Sequence, residues 1–554
     1  LQSLGFRVRQ HDLNAEFVYD HLTRPDVLAR LHGKLAAFAD QGVKSDPEYW
    51  FRALNRLCEA HGRCATLGTV AIREFLTDRR AVRGRPFAHW QKRGAPSSAG
   101  CDPFTARCLD DGLFWASFVE ALHYLLFSPR STRVEDVLRF AAEPPPVLSQ
   151  FLASKIDAWA SGTRPLLVGF ALWSTAQVPV AIGFTRMLRA LWPDVPLVAG
   201  GAWCSGADSL LPTFPELFDA FDAVVIGQGD DAMGELCARA LAAEAFSGIA
   251  NVAVRVDGNV QVPADVRSRR IVDSSLPDFD GLDLSQYPQG DTLPVRLQEG
   301  CTWRRCSFCY HIMDRIHGRS AGVDPSAVIE RALPHIQGLS VSKGVERVFL
   351  LDHAVPAHLM ELLAGGALSA GVRFQWLAMA RFEGRLPISN LRAIADSGCI
   401  GLHFGLESTD QHTLSRMNKG VDLGAVDREL DALAAAGIPA SVFLMHLPGQ
   451  TRDDVERDLA WVHARHDRLE GFTIARFEVG RGTYAFRHPH DLDIDLQPGH
   501  ERDIDVFDVP YRSRLPMLST VELMHMLEDG TRKHASLRGR HADGRTCLAS
   551  NDTG

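Results

Sequence analysis

The apolar positions of this chain fall into two runs of alternating strand-like and helix-like spacing, separated by a polar connector. In the first run, Leu166–Leu172 reads as a strand and Val178–Leu191 as a helix. Pro196–Ala199 then reads as a strand ending in Gly200-Gly201, and Ala223–Ile226 as one ending in Gly227-Gln228-Gly229-Asp230. Strands alternating with helices imply a parallel sheet. Upstream, residues 6–14 alternate like a further strand, Glu16–Phe38 has helical spacing, and the chain stays mostly helical to 150. The Arg-, Gly-, Pro- and Ser-rich stretch Arg79–Gly100 interrupts it as an expected exposed loop.

A connector with Pro and Asp spans 261–292. The second run opens on Pro294–Gln298 and continues through strand patterns at Val348–Leu351, Phe374–Ala380, Gly401–Gly405, Ser441–Met445 and Phe472–Phe477, with helical segments between most of them. About six β/α units in series suit a barrel or partial barrel, whose chemistry belongs at the carboxyl ends of the strands. Beyond 480 the periodicity fades, until a helix near Thr520–His534 precedes a polar tail.

At 554 residues the chain exceeds one ordinary domain. Apolar residues make up 46% and charged residues 23%, the balance of a globular protein with a sizeable core. A net charge of −9 argues against a chain whose main task is to neutralise phosphates, so nucleic acid is an unlikely partner. No stretch reaches the roughly 20 apolar residues that span a bilayer, and a cytoplasmic location is expected. The chain begins at Leu1 within a pattern already under way, so its true amino terminus is expected to lie outside this sequence.

Eleven cysteines are present, scattered except for Cys301, Cys306 and Cys309, which suits a reduced compartment with a metal site better than a disulfide framework. Cys101 and Cys108 read as buried or incidental thiols. Glu299 to Cys309 reads Glu-Gly-Cys-Thr-Trp-Arg-Arg-Cys-Ser-Phe-Cys, a Gly-initiated loop directly after a strand. Three thiolates can fill three corners of a four-iron cluster and leave one iron open. A structural zinc site completed by His311 is the rival reading.

With these residues the sequence resembles the radical S-adenosylmethionine superfamily, whose signature is CxxxCxxC with an aromatic before the last cysteine. Phe308 takes the aromatic position, and one extra residue separates Cys301 from Cys306. That insertion, with Trp303, is similar to the branch whose members also bind cobalamin. Downstream, Val348–Asp352, Gly405-Leu406-Glu407-Ser408 and Met417-Asn418-Lys419-Gly420 resemble further family elements in the right order. The turn His446-Leu447-Pro448-Gly449-Gln450-Thr451 is similar to the family's Gly-x-Pro-Gly-Glu-Thr, with His446 and Gln450 as departures. The resemblance implies Cys301, Cys306 and Cys309 as cluster ligands, and Phe308, Glu407, Ser408 and Lys419 as S-adenosylmethionine contacts. Asp352 and His446 are weaker catalytic candidates. Each has a plainer reading: Glu407 as an ion-pair partner, Lys419 as a surface charge, Asp352 as a helix cap and His446 as a structural histidine.

The upstream sheet carries neither GxGxxG nor GxxxxGK[ST]. Beside the cysteine loop, its residues resemble a cobalamin-binding domain that would use Ser174, Thr175, Gly200, Gly201, Gly227 and Gly229, with Arg7–Asn14 as its second strand and its first strand missing. No Asp-x-His-x-x-Gly is present to place a histidine under cobalt. The expected α/β organisation is a Rossmann-like cobalamin-binding domain over 1–260 with a helical insertion at 15–150, and a connector at 261–292. A partial (β/α)6 barrel over 293–480 and a substrate-capping region over 481–554 complete it.

The resemblance implies a 4Fe-4S cluster, S-adenosylmethionine and cobalamin as cofactors, and an electron donor such as flavodoxin or ferredoxin. It implies C-methylation of an unactivated carbon in a small-molecule or peptide substrate. The alternatives are a non-methylating radical rearrangement, cyclisation or oxidation, and a non-catalytic cobalamin- or zinc-binding protein.

Overall fold

The computed structural model describes residues 1, 4–17 and 132–538, apart from 268, 270, 275, 283, 285–291, 310–322, 346 and 384–387. Arg79–Gly100, Cys101, Cys108 and His311 lie outside the described residues, as does most of the helical stretch before 132.

The first sheet has five strands in the order β1 (Val168–Ala171), β2 (Leu197–Gly200), β3 (Ala223–Val225), β4 (Val252–Val256) and β5 (Asn259–Gln261). The first three are parallel, joined through the Gln177–Leu191 helix and through short helices after β2. The last two run antiparallel, and their pattern was not apparent from apolar spacing. Asp257 and Gly258 join them with φ of 51° and 80°, the paired left-handed turn that a two-residue hairpin requires. Apolar cores lie on both faces: Val224, Leu197 and Ala199 face the helices at 134–160 and 177–191, while Val198, Val225 and Leu236 form the other layer. Helix contact is close where Gly183 passes Ala141, since a Cβ there would stand 3.1 Å from the Ala141 carbonyl oxygen.

One expectation is overturned here. Residues 6–12 form no strand, and 13–16 are a short helix. The alternation offers no buried face, because positions 7–10 are all exposed. The segment is held from the far side of the helices instead: Phe17 packs edge-on against Phe151 at 5.1 Å, and Glu16 pairs with Lys155.

The second sheet has six parallel strands in simple chain order: β6 (Thr292–Val295), β7 (Arg347–Leu350), β8 (Gln375–Ala380), β9 (Cys399–Glu407), β10 (Ala440–His446) and β11 (Leu469–Arg476). Helices follow β7 to β10, and Pro325–Lys343 lies between β6 and β7. Pro294 is tolerated in β6 because an edge strand has one neighbour to bond. Alternate residues face outward into one core, such as Val348 and Leu350, Trp376 and Ala378, Leu402 and Phe404, Val442 and Leu444. The opposite positions, among them Phe349, Leu377, Met379, His403, Phe443 and Met445, are half-buried on the inner face.

After β11 the chain folds back over the carboxyl ends of this sheet. β12 (Ile494–Leu496) and β13 (Tyr511–Ser513) pair antiparallel. Ile494 of β12, with Leu492 just before that strand, packs with Met417, Leu447, Phe477 and, from the cysteine loop, Phe308. The Thr520–Leu537 helix, started by a Ser519/Glu522 capping box, docks on the β11 edge. Among the described residues no helix is long and apolar enough to cross a membrane.

Candidate functional site

β6 delivers the chain to the cysteine loop, and Asp352, at the end of β7, holds the turn between them. Its carboxylate accepts from Leu297 N at 3.1 Å and Gln298 N at 2.6 Å. Burial pushes its pKa up to about 7 in spite of those donors. Asp352 therefore braces the entry to the loop.

The loop turns on Gly300 (φ +70°) and Arg304 (φ +51°) and carries three cysteines outside any disulfide, Cys306 buried and Cys301 and Cys309 partly exposed. Burial raises the Cys306 thiol pKa, opposed by the charges of Lys419 and Arg381. No three His, Cys, Asp or Glu side chains among the described residues converge on a single metal ion. Three cysteine thiols on one short loop are a donor set that can fill three corners of a four-iron cluster and leave one iron open.

The segment 417–420 clamps this loop. Ser307 N donates to Met417 O at 2.9 Å, Trp303 Nε1 to Asn418 O at 2.7 Å, and Lys419 Nζ lies 5.7 Å over the Phe308 ring. Arg381, at the end of β8, donates to Lys419 O at 2.5 Å and stacks 5.0 Å from the Trp303 ring, with Arg305 5.3 Å from the same ring. Gly420 has φ +68°, and a Cβ there would fall 2.1 Å from the indole. Only glycine satisfies both the turn and the close approach. Arg381 was not singled out by its sequence; its position just past a strand of the second sheet is the signal that could have found it.

Glu407 and Lys419, twelve residues apart, meet in a buried ion pair of 2.6 Å. Glu407 has φ +73° at the end of β9, where the β9–β10 register slips between Gly405 and Glu407. Gly405 leaves room for the pair, since a Cβ would stand 2.8 Å from both Glu407 Oε1 and Lys419 Nζ. Ser408 is wholly buried and its hydroxyl accepts from Asp410 N at 3.1 Å. His446 lies on the outward register of β10, 1% exposed, with Nε2 3.1 Å from Gln450 O inside its own turn. Gln450 Oε1 in turn accepts from Leu447 N at 2.7 Å. The two departures in that turn thus bond it internally, and His446 is not brought to the cysteine loop's side.

Across from the cysteine loop lie the carboxyl ends of the first sheet. Trp173 N and Ser174 N donate to Gln177 Oε1 at 2.6 and 3.2 Å, closing the turn after β1. Thr175 Oγ1 donates to Asp505 Oδ1 at 3.1 Å, tying that turn to the segment between β12 and β13. Gly201 has φ +103° and abuts the Leu172 backbone at 2.5 Å from a notional Cβ, so its reason is the tight turn itself. Gly227 N donates to Ser205 Oγ at 2.9 Å, and Gly229 precedes the Asp230–Ala242 helix. Gly200, Gly201, Gly227 and Gly229 thus share one sheet edge whose backbone is partly open. Gln228, between two of them, accepts from Arg269 N at 2.5 Å and hydrogen-bonds the buried Glu299 side chain, one residue before Gly300. Glu299 also pairs with Arg296 at 3.4 Å, yet burial raises its pKa overall.

A parallel α/β sheet that presents three cysteines directly after its first strand defines a class. Residues 295–462 match the Radical SAM superfamily, so this stretch of the chain is a radical SAM domain. An uncharacterized methyltransferase of Pyrococcus horikoshii is 24% identical over 345 residues, 60% of this chain and 71% of the relative. The fold is shared with the radical S-adenosylmethionine methyltransferase TsrM of Kitasatospora setae, whose structure holds cobalamin and a [4Fe-4S] cluster. The likeness covers 69% of this chain and 80% of that one at 16% identity, with a TM-score of 0.51.

Proposed function

We propose that this chain is a cobalamin-dependent radical SAM methyltransferase that methylates an unactivated carbon of a small-molecule or peptide substrate. The observation that carries this reading is the meeting of two carboxyl edges: Gln228, from the glycine turns of the first sheet, bonds Glu299 at the root of the cysteine loop. In this reading residues 1–260 are the Rossmann-like cobalamin-binding domain, 293–480 a partial (β/α)6 barrel, and 481–554 the region that closes it.

Cys301, Cys306 and Cys309 would hold the cluster, while Ser174, Thr175, Gly200, Gly201, Gly227 and Gly229 would form the cobalamin cradle. When bound, the cluster supplies an electron for S-adenosylmethionine cleavage and cobalamin supplies the methyl group. The protein's part is to position and exclude. Trp303, clamped by Asn418 and Arg381, fixes the loop, and Phe308 covers it with apolar surface. The Glu407–Lys419 pair offers a carboxylate and an ammonium group in a buried place, matching the charged ends of an amino-acid-bearing cofactor. Asp352 steadies the loop's entry, and the chain between β12 and β13 is tied to the turn after β1 through Thr175.

Anaerobic turnover with deuterated-methyl S-adenosylmethionine and candidate substrates from neighbouring biosynthetic genes tests the reading. Methyl transfer yields S-adenosylhomocysteine, 5′-deoxyadenosine and a labelled product together. Deoxyadenosine with a modified but unmethylated product would replace it with a radical rearrangement, cyclisation or oxidation.

A further inference from the structure

The inner face of the second sheet carries one histidine that the site described above leaves unused. His403 lies on β9 two residues before Gly405 and on the same side of the sheet, so it sits one strand step below the Glu407–Lys419 pair. Its neighbours in register are Met379 on β8 and Ser441 on β10, with Gly471 beyond, and its ring centroid lies 6.0 Å from that of Phe443. None of these carries a charge. Nδ1 is buried and has no hydrogen-bond partner among the described residues, although the residue as a whole is only partly buried. A polar atom left in that state is costly unless something bonds it. Burial alone lowers the ring's pKa, and no neighbouring charge contributes. At neutral pH it is an uncharged imidazole with one donor and one acceptor in apolar surroundings.

We propose that His403 is a specificity-determining residue that hydrogen-bonds an uncharged OH or NH group on an otherwise apolar, aromatic-sized part of the substrate. This rests on the reading of the inner face as the substrate side. Phe443 supplies the flat apolar wall and Met379 an adaptable one. A charged group at this depth meets no counter-charge at His403's level and is rejected by the cost of its desolvation.

The test uses the anaerobically reconstituted full chain with S-adenosylmethionine and three probes of similar size: p-cresol, p-xylene and 4-methylbenzoate. Ligand-observed NMR titration gives the affinities without any turnover, so a failure here is distinguishable from a failure of the methyltransferase reading, which is judged by products. Wild type is expected to favour p-cresol over p-xylene by about 3- to 10-fold, the worth of one net hydrogen bond, and to exclude 4-methylbenzoate. His403→Phe is expected to erase the preference while still binding p-xylene, and His403→Gln to restore part of it. Retained p-xylene binding also shows that the variant is folded. Equal p-cresol preference in wild type and His403→Phe, binding of 4-methylbenzoate as tight as p-cresol, or no binding of either neutral probe would each overturn the proposal.

Discussion

Residues that look minor in sequence hold the cysteine loop in place. Gly420 combines a left-handed backbone with contact to Trp303, so Gly420→Ala strains the turn and displaces the indole at once. The expected cost is about 1–3 kcal/mol, visible as a lower melting temperature and poorer iron retention on gel filtration. Lys419→Met leaves Glu407 buried without its cation, and loss of about 3–5 kcal/mol is expected. The double variant with Glu407→Gln should recover part of that, because no orphan charge remains. The cysteine cluster and the Met417–Gly420 segment were both legible in the sequence as motifs. Their contact was not, since more than a hundred residues separate Trp303 from Asn418 and no local pattern encodes such a meeting.

At the scale of elements, strands and helices with strong apolar periodicity fell where their pattern indicated. β8, and β10 from Val442 onward, alternate because one face meets helices and the other the inner side. The failure at residues 6–12 has the opposite cause, as alternation without a buried face specifies no sheet. β4 and β5 were missed because they are short and follow the sheet's last parallel strand in reverse, with only Asp257-Gly258 as a signal.

The Thr520–Leu537 helix carries a pH dependence of its own. His534 bonds Leu469 O at 3.2 Å and lies 5.6 Å from the Phe472 ring, and burial pushes its pKa down to about 4. His463, 6.3 Å away ring to ring, is lowered as well, while His466 and Arg538 add positive charge and Glu470 opposes them through Arg538. A histidine held neutral in the fold contributes stability above its unfolded pKa of about 6.5, lost as pH falls toward 4. Thermal unfolding is therefore expected to lose about 3 kcal/mol between pH 6.5 and 4 from His534. His534→Phe is expected to flatten that part of the profile, and an unchanged profile would remove His534 as its source.

At the scale of the whole molecule, Gln228 with Glu299 links the first sheet to the cysteine loop, and Thr175 with Asp505 links it to the segment between β12 and β13. Gln228→Ala should uncouple the halves without touching the cysteines. Methylated product is expected to fall about tenfold, for one charge-assisted hydrogen bond of about 1.5 kcal/mol, while deoxyadenosine formation persists. Equal loss of both would place Gln228's effect within the cysteine loop itself. The radical SAM domain was readable from residues, whereas the contact of the segment between β12 and β13 with the first sheet was not. Asp505 and Ile504 reach Thr175 and Trp203 across about 300 residues of chain, and the stretch has no periodicity to announce it.

In the proposed function, Cys301, Cys306 and Cys309 hold a four-iron cluster that cleaves S-adenosylmethionine. Metal analysis and electron paramagnetic resonance after anaerobic reconstitution and dithionite reduction test it most directly, comparing wild type with Cys306→Ser. About four irons per chain, a reduced-cluster signal that shifts on adding S-adenosylmethionine, and loss of both in the variant are expected. Zinc bound in place of iron, or a full iron complement retained by Cys306→Ser, would contradict it.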